Sequence, residues 1–121
     1  MRARREVGGP VPELRFVQLQ IRKTDCGHVK LRGELDLSNA ERLEEALSRE
    51  LEGDLGIDLS ELSFIDSHGV IVIMEAAQKL QGRGRLVLLS PCRTVMKVLE
   101  IAGSHLALPN LHILPIGTCA P

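Results

Sequence analysis

Residues 58–74, DLSELSFIDSHGVIVIM, decide the fold, because two periodicities meet inside them. Leu55, Ile57 and Leu59 lead in as a short apolar strand over residues 55–59, interrupted by Asp58. Leu62, Phe64 and Ile65 follow, and then the junction Asp66, Ser67, His68, Gly69. Next come five apolar residues in a row, Val70 to Met74, the first four of them β-branched. Propensity alone makes that run a buried strand. Residues 75–81, however, are good helix sequence, and Val70, Ile73, Ala77 and Leu80 keep helical spacing. Length decides for one helix over residues 69–81, packed on both sides near its start and broken by Gly82 and Gly84.

Upstream, Val17, Leu19 and Ile21 alternate with Gln18 and Gln20, which predicts a half-buried strand over residues 16–21. Turn chemistry at residues 24–27 joins it to a second strand, where Val29, Leu31 and Gly33 alternate with Lys30 and Arg32, so the pair reads as a hairpin. Ser38 and Glu41 match a capping box. An apolar stripe of Ala40, Leu43, Leu47 and Leu51 follows, with Gly53 as the stop. Downstream, residues 85–89 read as a buried strand. Ser90 and Pro91 look like the N-cap and first position of a last helix, with Val95, Val98, Leu99 and Ala102 as its stripe and Gly103 as its end. Residues 111–114 form a short final strand.

The order ββαβαβαβ implies crossover connections. The fold class is α/β: one small domain whose central sheet is mostly parallel after an opening hairpin, flanked by about three helices. Leu43, Leu47, Ile73 and Leu99 should lie deep in the core. The domain spans residues 15–115. Residues 1–14, charged and then rich in Gly and Pro, read as an N-terminal tail, and residues 116–121 as a C-terminal one.

Composition narrows the function. With 121 residues and 44% hydrophobic content, one domain can bury a core without metal or disulfide support. There is no Trp, no Tyr and only two Phe, so Leu, Ile and Val fill that core, and stacking platforms for single-stranded nucleic acid are excluded. A net charge of -1 gives no basic face for a duplex. Cys26, Cys92 and Cys119 are odd in number and lack C-x-x-C spacing, which argues for three reduced thiols in a cytoplasmic chain. No apolar run is long enough to span a bilayer. His28, His105 and His112 are scattered, and no metal or cofactor is expected.

The junction at Asp66 has a plain structural reading: Asp or Ser caps a helix, and Gly allows a close turn. Three chemical readings stand beside it. Asp66, Ser67 and His68 are consecutive, whereas a catalytic triad is assembled in space, and no G-x-S-x-G elbow is present. Nucleotide binding lacks both the P-loop and the G-x-G-x-x-G pattern. Covalent modification of Ser67 fits best, since an exposed serine at a helix start is a good place to add charge as a switch.

Three blocks then carry a resemblance. VKLRGELDLSNA (29–40) resembles a strand ending in G-E-(L/I)-D before a helix. IDLSELSFIDSHG (57–69) resembles the signature D-L-S-x-(L/V)-x-F-(I/M)-D-S-(S/T/A)-G. Residues 89–103 resemble the closing strand and helix. Together, in order and across residues 16–114, they resemble the STAS domain family, specifically its single-domain bacterial anti-sigma factor antagonists. The resemblance implies a non-enzymatic switch. Such a protein binds an anti-sigma factor, often itself a serine kinase, and so frees the sigma factor. The kinase phosphorylates the serine after the signature aspartate, here Ser67. Phosphorylation weakens the complex and a phosphatase restores it. Asp36, Asp66, Ser67, His68 and Gly69 are the implied partner-binding residues, with no direct nucleic acid contact, no membrane insertion and room for a homodimer. A STAS subunit of a lipid-transport ATPase or of a stress-signalling complex is the alternative.

The sequence departs from that pattern twice. His68 stands where a small residue is usual, so kinase access changes, or the imidazole pairs with the phosphate. Pro109, Pro115, Gly117 and Pro121 argue against a further C-terminal helix. Asp36 also reads simply as the start of a loop, and Asp58 as a buried acceptor in its strand. Cys92 sits where a helix start lowers a thiol pKa, but a small inert hydrophobe is the commoner role.

Overall fold

A computed structural model describes residues 18–103 and 108–115 of the chain. The tail at residues 1–14, the first part of the opening strand, His105 and Cys119 lie outside the described residues. Eight elements follow in the order β1 (Gln20–Lys23), β2 (Val29–Leu35), α1 (Ala40–Ser48), β3 (Leu55–Ile65), α2 (Ser67–Leu80), β4 (Leu86–Leu89), α3 (Arg93–Gly103) and β5 (Leu111–Leu114). One five-stranded sheet has its strands side by side in chain order. β1 pairs antiparallel with β2, and every later pairing is parallel.

The hairpin closes where the turn chemistry placed it. Gly27 takes φ 83, which a side chain would disfavour, and its N–H donates to the Thr24 carbonyl at 3.0 Å. β1 runs on to Lys23, two residues past the expected end, because Arg22 and Lys23 pair with Lys30 and Val29.

The three parallel crossovers all step the same way along the sheet. Right-handed crossovers of that kind set all three helices on one face. In agreement, α1 packs on α2, α2 on α3, and α3 on β3. Val29, Leu31 and Leu35 of β2 and Leu55, Ile57 and Leu59 of β3 are buried toward this layer. On the other face Lys30 and Arg32 reach Glu61 at 3.3 and 3.8 Å, while Val87, Leu89 and Leu114 line a pocket with His28 and His112. α2 is the middle helix of the layer, which explains its all-round apolar start: Val70, Val72, Ile73 and Met74 are all buried. The segment expected as a helix over residues 69–81 is therefore helical as far as Leu80, and the helix begins two residues earlier, at Ser67. Leu43, Leu47, Ile73 and Leu99 are each at most 1% exposed.

Five expectations need correction. β3 does not stop at Leu59 but continues to Ile65. Two register shifts against β2 insert extra residues, so the buried positions go from Leu59 to Leu62 to Ile65 in steps of three instead of two. The Asp58 carboxylate accepts the Ser60 N–H at the first shift, and the Ser63 hydroxyl donates to the Gly33 carbonyl at the second. α1 has no capping box. The Ser38 N–H and hydroxyl are both held by Asp36 Oδ1, at 2.9 and 2.6 Å, so Asn39 becomes the N-cap, with no side-chain cap bond. That helix also ends at Ser48, before Leu51, where the Ser48 hydroxyl donates to the Glu45 carbonyl. α3 starts at Arg93, with the Cys92 carbonyl accepting the Met96 N–H at 2.8 Å, while Ser90 sits at φ 55 and its N–H donates to the Leu114 carbonyl of β5, so Ser90 belongs to the sheet edge and is not the cap. The three-reduced-thiol expectation fails too: Cys92 is free, but Cys26, exposed in the hairpin turn, is disulfide-bonded.

No helix among the described residues is long and apolar enough to cross a membrane. Among them, no group of three or more metal-ligating side chains converges. His28 instead packs its ring over Gly56, where a Cβ would come within 2.6 Å of it.

Candidate functional site

β2 and β3 are parallel neighbours, so their C-terminal ends lie together, at the edge of the sheet where α/β domains most often hold ligands. From β2 the chain enters the loop of Asp36 and Leu37, and from β3 it reaches Asp66 and the start of α2.

Asp66 joins the two. Its Oδ1 accepts the N–H groups of His68 and Gly69 at 2.9 and 3.1 Å, capping α2. Its Oδ2 accepts the Leu37 N–H at 3.1 Å from the other loop. Its own N–H donates to the Leu35 carbonyl at 3.1 Å, extending the β2–β3 ladder by one rung. The His68 Nδ1 lies 3.5 Å from Oδ2. Partial burial is the largest single influence on this carboxyl and raises its pKa. The hydrogen bonds from Gly69, Leu37 and His68 together outweigh that, and hold Asp66 below the usual carboxylate value.

Asp36 works within its own loop. Besides holding Ser38, it offers its carbonyl to the N–H groups of Asn39 and Ala40. Asn39 is buried and reaches back, accepting the Asp36 N–H and donating to the Glu34 carbonyl at 2.9 Å each. Leu37 is thereby presented outward, 69% exposed.

Ser67 is the first residue of α2 and is exposed. Its hydroxyl makes no hydrogen bond within the described residues. That separates it from Ser38 and Ser63, whose hydroxyls are engaged. His68 is exposed beside it, whereas Gly69 is buried. A Cβ on Gly69 would come within 2.5 Å of Leu35 and 2.9 Å of Ile65, so this glycine lets the first turn of α2 sit down on the sheet.

The sequence-predicted residues thus gather at one edge in three layers: Gly69 beneath, the two aspartates as ties, Ser67 and His68 outward. The sequence reading missed the apolar flank. Leu37 and Ile71 are exposed on either side of the junction, and Ile101 of α3 lies beyond. A signal was present for Ile71. Five apolar residues in a row overfill any helix stripe, so one of them must face out.

Among the described residues, neither chain neighbour of Ser67 is turned to its hydroxyl. Asp66 is occupied by backbone donors, and the His68 Nδ1 is turned to Asp66. The arrangement presents that hydroxyl at a held, solvent-facing helix start, with apolar surface around it.

The family model described as "Mlab, STAS domain" matches residues 19–109. Among solved structures, the unphosphorylated anti-sigma factor antagonist SpoIIAA is similar at 27% identity over 69% of this chain and 83% of that one, with a TM-score of 0.54. The phosphorylated form of Bacillus SpoIIAA is similar at 24% identity over 79% and 90%, with a TM-score of 0.55. A putative anti-sigma factor antagonist from Thermotoga maritima matches at 23% identity over 79% and 85%, with a TM-score of 0.59. The fold, the signature stretch through Asp66 and a family match over three quarters of the length coincide, and the chain belongs to the STAS domain family.

Proposed function

We propose that the chain is an anti-sigma factor antagonist, a non-catalytic protein–protein switch acting in the cytoplasm. It binds an anti-sigma factor that is itself a serine kinase and so releases the sigma factor held by it. Phosphorylation of Ser67 switches binding off, and a phosphatase switches it back on. Asp36, Asp66, Ser67, His68 and Gly69 form or support the partner face. The observation that carries this reading is the Ser67 hydroxyl: exposed, without a hydrogen-bond partner among the described residues, and next to a carboxylate that fixes the helix start. Similarity to SpoIIAA, known in an unphosphorylated and a phosphorylated form, supports it.

A second reading is a STAS subunit of a lipid-transport ATPase or of a stress-signalling complex. Its support is that the matching family model is described by Mlab, not by sigma-factor control, and that His68 replaces the small residue of the antagonist pattern.

Incubation with the cognate anti-sigma kinase and ATP, followed by mass-spectrometric mapping, tests the first reading. One phosphate at Ser67 is expected. Phosphate at Ser60 or Ser63 and never at Ser67, or co-purification with an ATPase subunit and no anti-sigma factor, contradicts it.

A further inference from the structure

The three helices lie on one face of the sheet, yet a leucine on the other face is buried. Leu86 and Leu88 of β4 belong to the core, so Val87 and Leu89 between and after them point away from it. Leu89 pairs with Asp58 of β3 and Leu114 of β5, and Val87 with Gly56 and His112. Leu114 is 39% exposed, whereas Leu89 is only 2% exposed although it stands outside the core cluster. A recess of about 510 Å³ runs from Leu89 and Leu114 to Cys26 and His28 at the hairpin.

Cys26, at the tip of that hairpin, is exposed and disulfide-bonded, and Cys92 is free. The chain has three cysteines, so the count leaves Cys119 as the second half of the bridge. Reach then limits the path. In register, Val29, Ile57, Leu88 and Ile113 stand abreast. Leu114 is one residue above that row on β5, and Cys26 three residues below it on the β2 side. Strand spacing and residue rise put about 20 Å between them on the diagonal. The five residue steps from Leu114 to Cys119 extend to about 17 Å, and a disulfide adds about 5–6 Å between Cα atoms. The bridge therefore closes only if residues 116–118 run nearly straight across the face, past Leu89. Ile116, Gly117 and Thr118 carry no charge, which suits a wall of Val87, Leu89 and Leu114.

We propose that residues 116–119 form a strap across the helix-free face of the sheet, laid over Leu89 and clasped by a Cys26–Cys119 disulfide. An exposed bridge is open to thiol–disulfide exchange, which makes the strap a redox-set cover. With a dithiol reductant, one thiolate attacks a sulfur of the bridge, forming a mixed disulfide and releasing the other cysteine. The second thiolate of the reductant then displaces the remaining one. Two electrons and two protons pass to Cys26 and Cys119, and the reductant becomes a disulfide. A reducing compartment opens the strap and uncovers the apolar recess; an oxidising one closes it. The proposal stands apart from the antagonist reading, because the strap lies on the face opposite α2, the helix that carries Ser67.

The test uses the full chain, oxidised with a low-molecular-weight disulfide and then alkylated without reductant. Peptide mapping by mass spectrometry should find Cys26 joined to Cys119 and Cys92 alkylated. Melting temperature should fall by about 10 °C or more on reduction, as expected for loss of a bridge that closes a long loop. Cys26→Ser and Cys119→Ser should each melt like the reduced wild type, show no further response to reductant, and lose nothing more when combined. Hydroxyl-radical footprinting reads the cover itself. Leu89 should be labelled several-fold faster in Cys119→Ser than in the bridged chain, while Leu37, exposed at the far end of β2, keeps its rate. Cys26 joined to Cys92, or to Cys26 of a second copy, overturns the strap. So does a Cys26–Cys119 link whose loss leaves the labelling of Leu89 unchanged.

Discussion

Asp66 shows how much one side chain can hold. One of its oxygens caps α2 and the other ties down Leu37 from a loop 29 residues away in the chain. Asp66→Ala should therefore cost about 1–2 kcal/mol, the usual range for a lost cap, measured by urea denaturation at neutral pH. The Leu37 amide should also lose hydrogen-exchange protection. Because the folded-state pKa is lowered, the unfolded chain takes up this proton first as pH falls. The contribution is complete above the unfolded carboxylate value of about 4, and is lost as pH drops through the lower folded value. The stability gap between wild type and Asp66→Ala should accordingly shrink from pH 5 downward, and a gap that stayed constant to acid would mean that the bonds do not depend on the charge. Asp66 was legible as a cap because nothing competes for it locally. Ser38 was misread as one, since the S-x-x-E signature is blind to Asp36 two residues earlier, which takes both Ser38 donors.

At the scale of elements, the seat of α2 is the sensitive contact. Gly69→Ala pushes a methyl into Leu35 and Ile65, inside the packed contact between α2 and the sheet. A loss of about 1–3 kcal/mol is expected for such overpacking, and an unchanged denaturation midpoint would mean that α2 slides off the sheet without cost. Leu47, 1% exposed, closes α1 against the core, and Leu47→Ala should cost about 2–5 kcal/mol. The helical identity of α2 was legible because length and the downstream residues outweighed its β-branched start. The full length of β3 was not. Its two register shifts change the phase of burial, and a period-two template loses the strand at Ser60.

For the whole molecule, the parallel order of β2 and β3 places both aspartate loops at one end and the Cys26 turn at the other end of β2. Structure at the turn is thus separated from the switch, and Cys26→Ser should bind the partner as the wild type does, whatever the redox state of the medium. Isothermal titration in buffer with and without reductant checks this. The order of elements was legible from alternation alone, whereas the disulfide was not, because an odd cysteine count leaves room for one bridge that spacing does not reveal. Asp66 already occupies the N–H groups of His68 and Gly69, so a phosphate on Ser67 finds the helix end in use and points to solvent. The free domain tolerates it by hydration, and the cost falls on the complex, where that hydration is removed.

In the proposed switch, charge on Ser67 blocks binding without disturbing the fold. Calorimetric titration of the anti-sigma factor with wild type, Ser67→Ala and Ser67→Asp tests it most directly, alongside their melting curves. Ser67→Ala should bind like wild type, and Ser67→Asp should keep its melting temperature within about 4–8 °C, the shift equivalent to 1 kcal/mol in a domain of this size, while binding about 100-fold more weakly. Equal affinities for Ser67→Ala and Ser67→Asp, or a loss of binding that merely follows unfolding, would contradict it.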